Sequence, residues 1–184
     1  MNHERVFNNE QNKKAKSWED TLTWVNTLHD RLGKRIDKNI QETIVALTLL
    51  GINTSASCEG HLDHGTYAPY IDVETKERND LGNRITQATE KEDAKKIIKE
   101  LERKNLEERK KLVVLLTEFY ENRKCSFESR LIIQSLSQGW SRLESQGAGL
   151  QGIQPEEIKK QKLEEYQKEM ADFTSFLKRK FFKS

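Results

Sequence analysis

Trp18, Leu22, Val25, Leu28 and Leu32 recur at intervals of three or four, which predicts a helix with one apolar side. It opens at Ser17, where Asp20 three residues on offers a capping arrangement, and Gly33 ends it. Asp37 is placed to cap a second helix with Ile40, Ile44, Leu47 and Leu50 on its buried face. Gly51 follows where a left-handed residue closes helices, and Ile52 is placed to pack back on Leu47. From Ile52 to Cys58 the pattern turns to alternation, as in a short strand, and 68–74 reads as its partner, with Ile71 and Val73 on one face and Tyr70, Asp72 and Glu74 on the other.

A polar connection over 76–92 leads to a long helix from Asp93 to Arg123. Its apolar stripe breaks at Lys104 to Lys111 and resumes at Val113, Leu116, Phe119 and Tyr120, so the middle is either solvated or kinked. Two strands, 129–137 and 140–145, meet at Gln138-Gly139 in a tight turn, and 147–152 is a flexible link. Pro155 suits the first turn of a last helix whose edge runs Ile158, Leu163, Tyr166, Met170, Phe173, Leu177 and Phe181. This order predicts an α+β fold in which a small four-stranded, mainly antiparallel sheet packs with long helices. Residues 1–16 are polar and aperiodic and read as a disordered arm before one domain at 17–184.

Composition narrows the partners. The 184 residues carry 32 Lys+Arg against 30 Asp+Glu, a net charge of +2, so bulk electrostatics do not argue for nucleic acid. No stretch approaches the roughly 20 apolar residues that span a bilayer, and no signal-peptide pattern opens the chain; the expectation is a cytoplasmic protein with no membrane partner. Cys58 and Cys125 form neither a disulfide framework nor a paired-thiol zinc motif.

The window 52–75, INTSASCEGHLDHGTYAPYIDVET, has no Lys or Arg, although an even spread would place about four there, and it holds half of the four histidines. Three readings stay open. Cys58, His61 and His64, spaced C-x2-H-x2-H, could bind zinc if Asp63, Asp72 or water supplied a fourth ligand. Without metal, His61 or His64 could carry protons beside a carboxylate such as Asp72, with Thr54, Ser55, Ser57 and Cys58 orienting a ligand. Cys58 suits packing or hydrogen bonding better than attack, because carboxylate neighbours raise a thiol pKa. In the third reading Cys58 faces the core, Gly60 serves a turn and the histidines sit in solvent.

Ile36-Asp37, Ile40 and Ile44 on a helix, leading into Thr54-Ser55-Ala56-Ser57-Cys58-Glu59-Gly60-His61, are similar to the start of the tRNA wybutosine-synthesis methyltransferase family, whose strand reads Thr-Thr-Ser-Ser-Cys-Ser-Gly-Arg. Thr54, Ser57, Cys58 and Gly60 match, His61 stands in place of Arg, and the likeness covers about 25 residues. The resemblance implies an α+β domain acting on a modified tRNA nucleoside with S-adenosylmethionine as methyl donor.

Arg130 and Arg142, on the second hairpin, are candidates to supply the positive charge that the window lacks, facing Asp72 or an anionic ligand. Trp140 is a stacking surface or ordinary packing. The tail Lys178-Arg179-Lys180-Phe181-Phe182-Lys183 reads either as a nucleic-acid contact or as a helix end whose cations complement the dipole. The apolar end of the long helix, Val113 to Tyr120, is a candidate homodimer seam. The sequence therefore points to an enzyme acting on a small or nucleotide-like ligand at Thr54, Ser55, Ser57, Cys58, His61, His64 and Asp72, with a binding or adaptor protein as the alternative.

Overall fold

The computed structural model describes residues 2–30 and 32–184, with side chains from Asn9 onward. It is an α+β fold: helices α1 (Asn2–Thr27) and α2 (Gln41–Leu49), strands β1 (Thr54–Cys58) and β2 (Tyr70–Glu74), helices α3 (Arg78–Gln87) and α4 (Lys91–Tyr120), strands β3 (Leu131–Ser137) and β4 (Trp140–Ser145), and helix α5 (Glu156–Lys183). The strands form one antiparallel sheet in the order β1-β2-β4-β3, which joins the two hairpins through β2 and β4 and leaves β1 and β3 as edges.

Helix α2 is surrounded. Thr43 through Leu47 are all buried, so burial covers its whole circumference rather than the single face expected from the spacing. Its end matches expectation: Gly51 has φ 75°, its N–H donates to Thr48 O and the Ile52 N–H donates to Leu47 O, a Schellman closure with Leu47 and Ile52 both in the core. Helix α5 lies alongside, and a buried hydroxyl pair, Thr43 Oγ1 and Thr174 Oγ1 at 2.6 Å, ties the two.

Several expectations need correction. Helix α1 begins at Asn2 rather than Ser17, so residues 2–16 of the segment expected as an arm are helical, and Lys14 Nζ donates to Ser184 O near the chain end. The same helix stops at Thr27, short of Leu28 and Leu32. Asp30 Oδ1 accepts the Leu32 and Lys34 N–H groups, Gly33 has φ 77°, and His29 and Arg35 form a bridge. Leu32 is consequently exposed.

The polar connection contains helix α3, anchored by the fully buried Leu81, and 147–152 is a short 3-10 helix (Ala148–Ile153) with Gln151 buried. The break in the α4 stripe is a largely solvated stretch with one exception, Asn105. Asn105 is buried against the sheet and accepts a hydrogen bond from Ser141 Oγ at 2.8 Å. The stripe then resumes as Leu112, Leu115, Leu116 and Phe119, while Val113 and Val114 stay exposed.

At the basic tail, Phe181 and Phe182 pack on Trp18, Lys178 pairs with Glu42 and Lys180 with Glu118. That arrangement is a helix end folded into the core. No helix of the described residues is long and apolar enough to cross a membrane.

Candidate metal centre

Strand β1 is interrupted where its chemistry begins. Thr54 faces Val73 but Ala56 faces Asp72, a bulge at Ser55 that shifts the alternation, so Ala56 is exposed and does not share a buried face with Cys58. Cys58 ends the strand buried, and the chain turns at Gly60, whose φ is 83°. A Cβ at Gly60 would stand 2.8–2.9 Å from Leu163 Cδ1, Ala68 C and Pro69 N, so only glycine fits both the backbone and the space. The His61 N–H donates to Thr66 O at 2.7 Å and folds the loop on itself. From outside, Gln167 Nε2 on α5 donates to Glu59 O and Gly60 O, both at 3.2 Å.

This turn places three donor groups together. The Asp37, Cys58 and His61 ligand atoms all lie within 4.8 Å of one another. His61 Nε2 is 3.2 Å from Asp37 Oδ2, and that same oxygen accepts the Glu59 N–H at 3.0 Å. Cys58 Sγ accepts the Gly60 N–H at 3.3 Å. Partial burial pushes the Asp37 carboxyl up, but the Glu59 N–H, His61 and the Cys58 thiol outweigh it and hold the group below its ordinary value. His64 stacks on His61 with ring centroids 4.0 Å apart, and its Nδ1 is 2.7 Å from Asp63 Oδ1 on the solvent side. A second donor group, His61, Asp63 and His64, thus shares His61 with the first.

The expected site residues separate into three places. Cys58 and His61 converge, with His64 beside them. Asp72 is elsewhere: it is almost wholly buried and takes a bidentate pair from Arg142, Nε at 2.7 Å and Nη2 at 3.0 Å, as the second-hairpin arginine was expected to provide. Asp72 is therefore a structural counter-ion rather than the partner of a histidine; that partner is Asp37. Arg142 also covers the Tyr70 ring at 3.7 Å, and burial raises the Tyr70 pKa while Arg142 opposes the rise. Arg130 lies apart, over the Tyr120 ring, and Trp140 is packed under Arg78. Thr54, Ser55 and Ser57 line a 360 Å³ cavity with Leu28, His29, Lys34 and Arg35, and neither His61 nor His64 lines it.

No protein-family model, curated protein or solved structure matches this chain.

Asp37 was missed because an aspartate before a helix reads as a cap. It occupies that position, yet its side chain makes no capping bond and turns toward the 58–61 loop. The one available signal was its place beside Ile36 ahead of the Thr54–His61 motif, which spacing alone cannot distinguish from a cap.

Proposed function

We propose that this protein is a metal-dependent enzyme whose centre is Asp37, Cys58 and His61, with zinc as the best-fitting ion and a small or nucleotide-like molecule as substrate. The observation that carries the reading is the spacing of a mixed O, S, N donor set. Two zinc ligands with bonds of 2.0–2.1 Å subtend a tetrahedral edge of about 3.3 Å, and His61 Nε2 and Asp37 Oδ2 already stand 3.2 Å apart. A cation between them would replace the proton they share. The Gly60 N–H on Cys58 Sγ and the Glu59 N–H on Asp37 would hold two of the three ligands in orientation.

Three protein ligands leave the fourth position for water, the arrangement of catalytic rather than purely structural zinc sites. Zinc at such a position supplies a water acidic enough to ionise near neutrality. His64, stacked on His61 and oriented by Asp63, is positioned to pass protons between that site and solvent. Metal-free proton transfer by His61 with Asp37 is the second reading, favoured by the same 3.2 Å contact. The methyl transfer implied by the wybutosine resemblance would instead need S-adenosylmethionine.

Metal analysis after zinc loading and desalting tests the proposal. About one equivalent should remain on the wild type and be lost from Cys58→Ser, His61→Ala and Asp37→Asn with little change in apo melting temperature. Less than about half an equivalent on the wild type, or retention by all three variants, would overturn the metal reading. Activity without metal would favour the histidine–carboxylate pair.

A further inference from the structure

The 360 Å³ cavity beside β1 lies one residue from the centre along two segments: Ile36 and Ser57 line it, and Asp37 and Cys58 follow them. Its apolar lining comes from Leu28, Ile36 and Ile44, and Trp24, half exposed, lines it as well. Thr54, Ser55 and Ser57 line it from β1, and His29, Lys34 and Arg35 from the segment that precedes α2. Among the described residues, none of those three hydroxyls and neither cation side chain has a hydrogen-bond or ion-pair partner. Asp30, the acid in the lining, has its Oδ1 held by the Leu32 and Lys34 N–H groups.

We infer that this cavity binds a mononucleotide, with its phosphate between Lys34, Arg35 and the β1 hydroxyls and its base against Trp24. Each part of the lining corresponds to a part of that ligand. Guanidinium and ammonium groups beside hydroxyl donors suit a phosphate. A half-exposed indole over an apolar floor suits a base, since aromatic stacking accepts any purine or pyrimidine face. The volume falls in the range of small-molecule sites and exceeds what inorganic phosphate alone would fill.

A peptide strand added to the β1 edge is the weaker occupant. β1 has five residues, and the bulge at Ser55 breaks the regular ladder that an added strand needs. Positive charge thus reaches the 52–75 window from two sides, Arg142 on Asp72 and Lys34 and Arg35 beside the β1 hydroxyls, and not from Arg130. Binding at the cavity stands independently of the metal reading, whereas conversion of the bound nucleotide rests on it.

Calorimetric titration of the full chain with adenosine monophosphate, adenosine and inorganic phosphate tests the inference. The monophosphate should bind more tightly than either part alone. The double variant K34A/R35A should weaken the monophosphate about tenfold or more and leave adenosine nearly unchanged. Trp24→Ala should weaken both the monophosphate and adenosine. Zinc content should be unaffected in these variants, which separates failure here from failure of the metal centre. No binding of the monophosphate, or binding insensitive to K34A/R35A in a variant of wild-type melting temperature, would overturn the assignment.

Discussion

The two hairpins of the sheet use their polar residues in opposite ways. In the second, β3 and β4 meet at Gln138-Gly139, and the charged and amide groups are taken up inside the fold: Arg142 on Asp72, Gln134 on Glu144, Ser141 on Asn105. In the first, eleven residues separate β1 from β2, with left-handed glycines at 60 and 65, and that loop carries two imidazoles and two carboxylates beside the buried thiol that ends β1. A tight turn leaves no room for chemistry, whereas a long loop creates room but needs support. Asp37, just ahead of the turn that leads into α2, and Gln167 on α5 supply that support. On this account the second hairpin gives rigidity and the first gives function.

Four changes would break or sharpen that division. The largest effect is expected from Gly60→Ala, where a positive φ and contacts under 3 Å with backbone atoms combine. It should cost about 3–4 kcal/mol in chemical denaturation and release the metal together with the loop. Asp72→Ala should cost about 2–3 kcal/mol, because it leaves Arg142 partly buried without its counter-ion, yet zinc affinity should persist. Loss of zinc in that variant would show that the hairpins are not independent.

Asp37→Asn should change apo stability by less than about 1 kcal/mol while removing metal, since its carboxylate is only partly buried and its backbone bond can be retained by the amide oxygen. The smallest effect concerns pH and lies in the scaffold. Lys104 and Thr75 pull Glu77 down to about 2, and Asp172, raised by burial, is brought below its ordinary value by Lys168 and Arg123. A carboxylate depressed in the folded state stabilises above its unfolded pKa and loses that contribution as pH falls through the folded value. Melting temperature should therefore be insensitive to these two groups above about pH 5 and decline between about pH 4 and 2. Glu77→Gln should make that decline shallower.

The fold was legible wherever one residue type had one job. Gly51 with Ile52 closing α2, Ile71 and Val73 facing the core, and the Gln138-Gly139 turn all follow from local rules that tertiary contacts reinforce. Residues 2–16 were not legible, because a polar helix held by a contact such as Lys14 with the chain end has no periodic apolar signal of its own. Within the largely solvated middle of α4, Asn105 alone was not legible, for a related reason: a buried amide with a specific partner reads as solvated. At the site, Cys58 and His61 were visible as a cluster. Asp37, Lys34 and Arg35 were not, since their proximity to 54–61 depends on the path of the chain through α2.

The zinc K-edge X-ray absorption spectrum of the loaded full chain tests the central claim most directly. One sulfur at about 2.3 Å with nitrogen or oxygen neighbours at about 2.0–2.1 Å is the predicted first shell, with the sulfur scattering gone in Cys58→Ser. A shell of nitrogen and oxygen alone on the wild type would contradict a centre built on Asp37, Cys58 and His61.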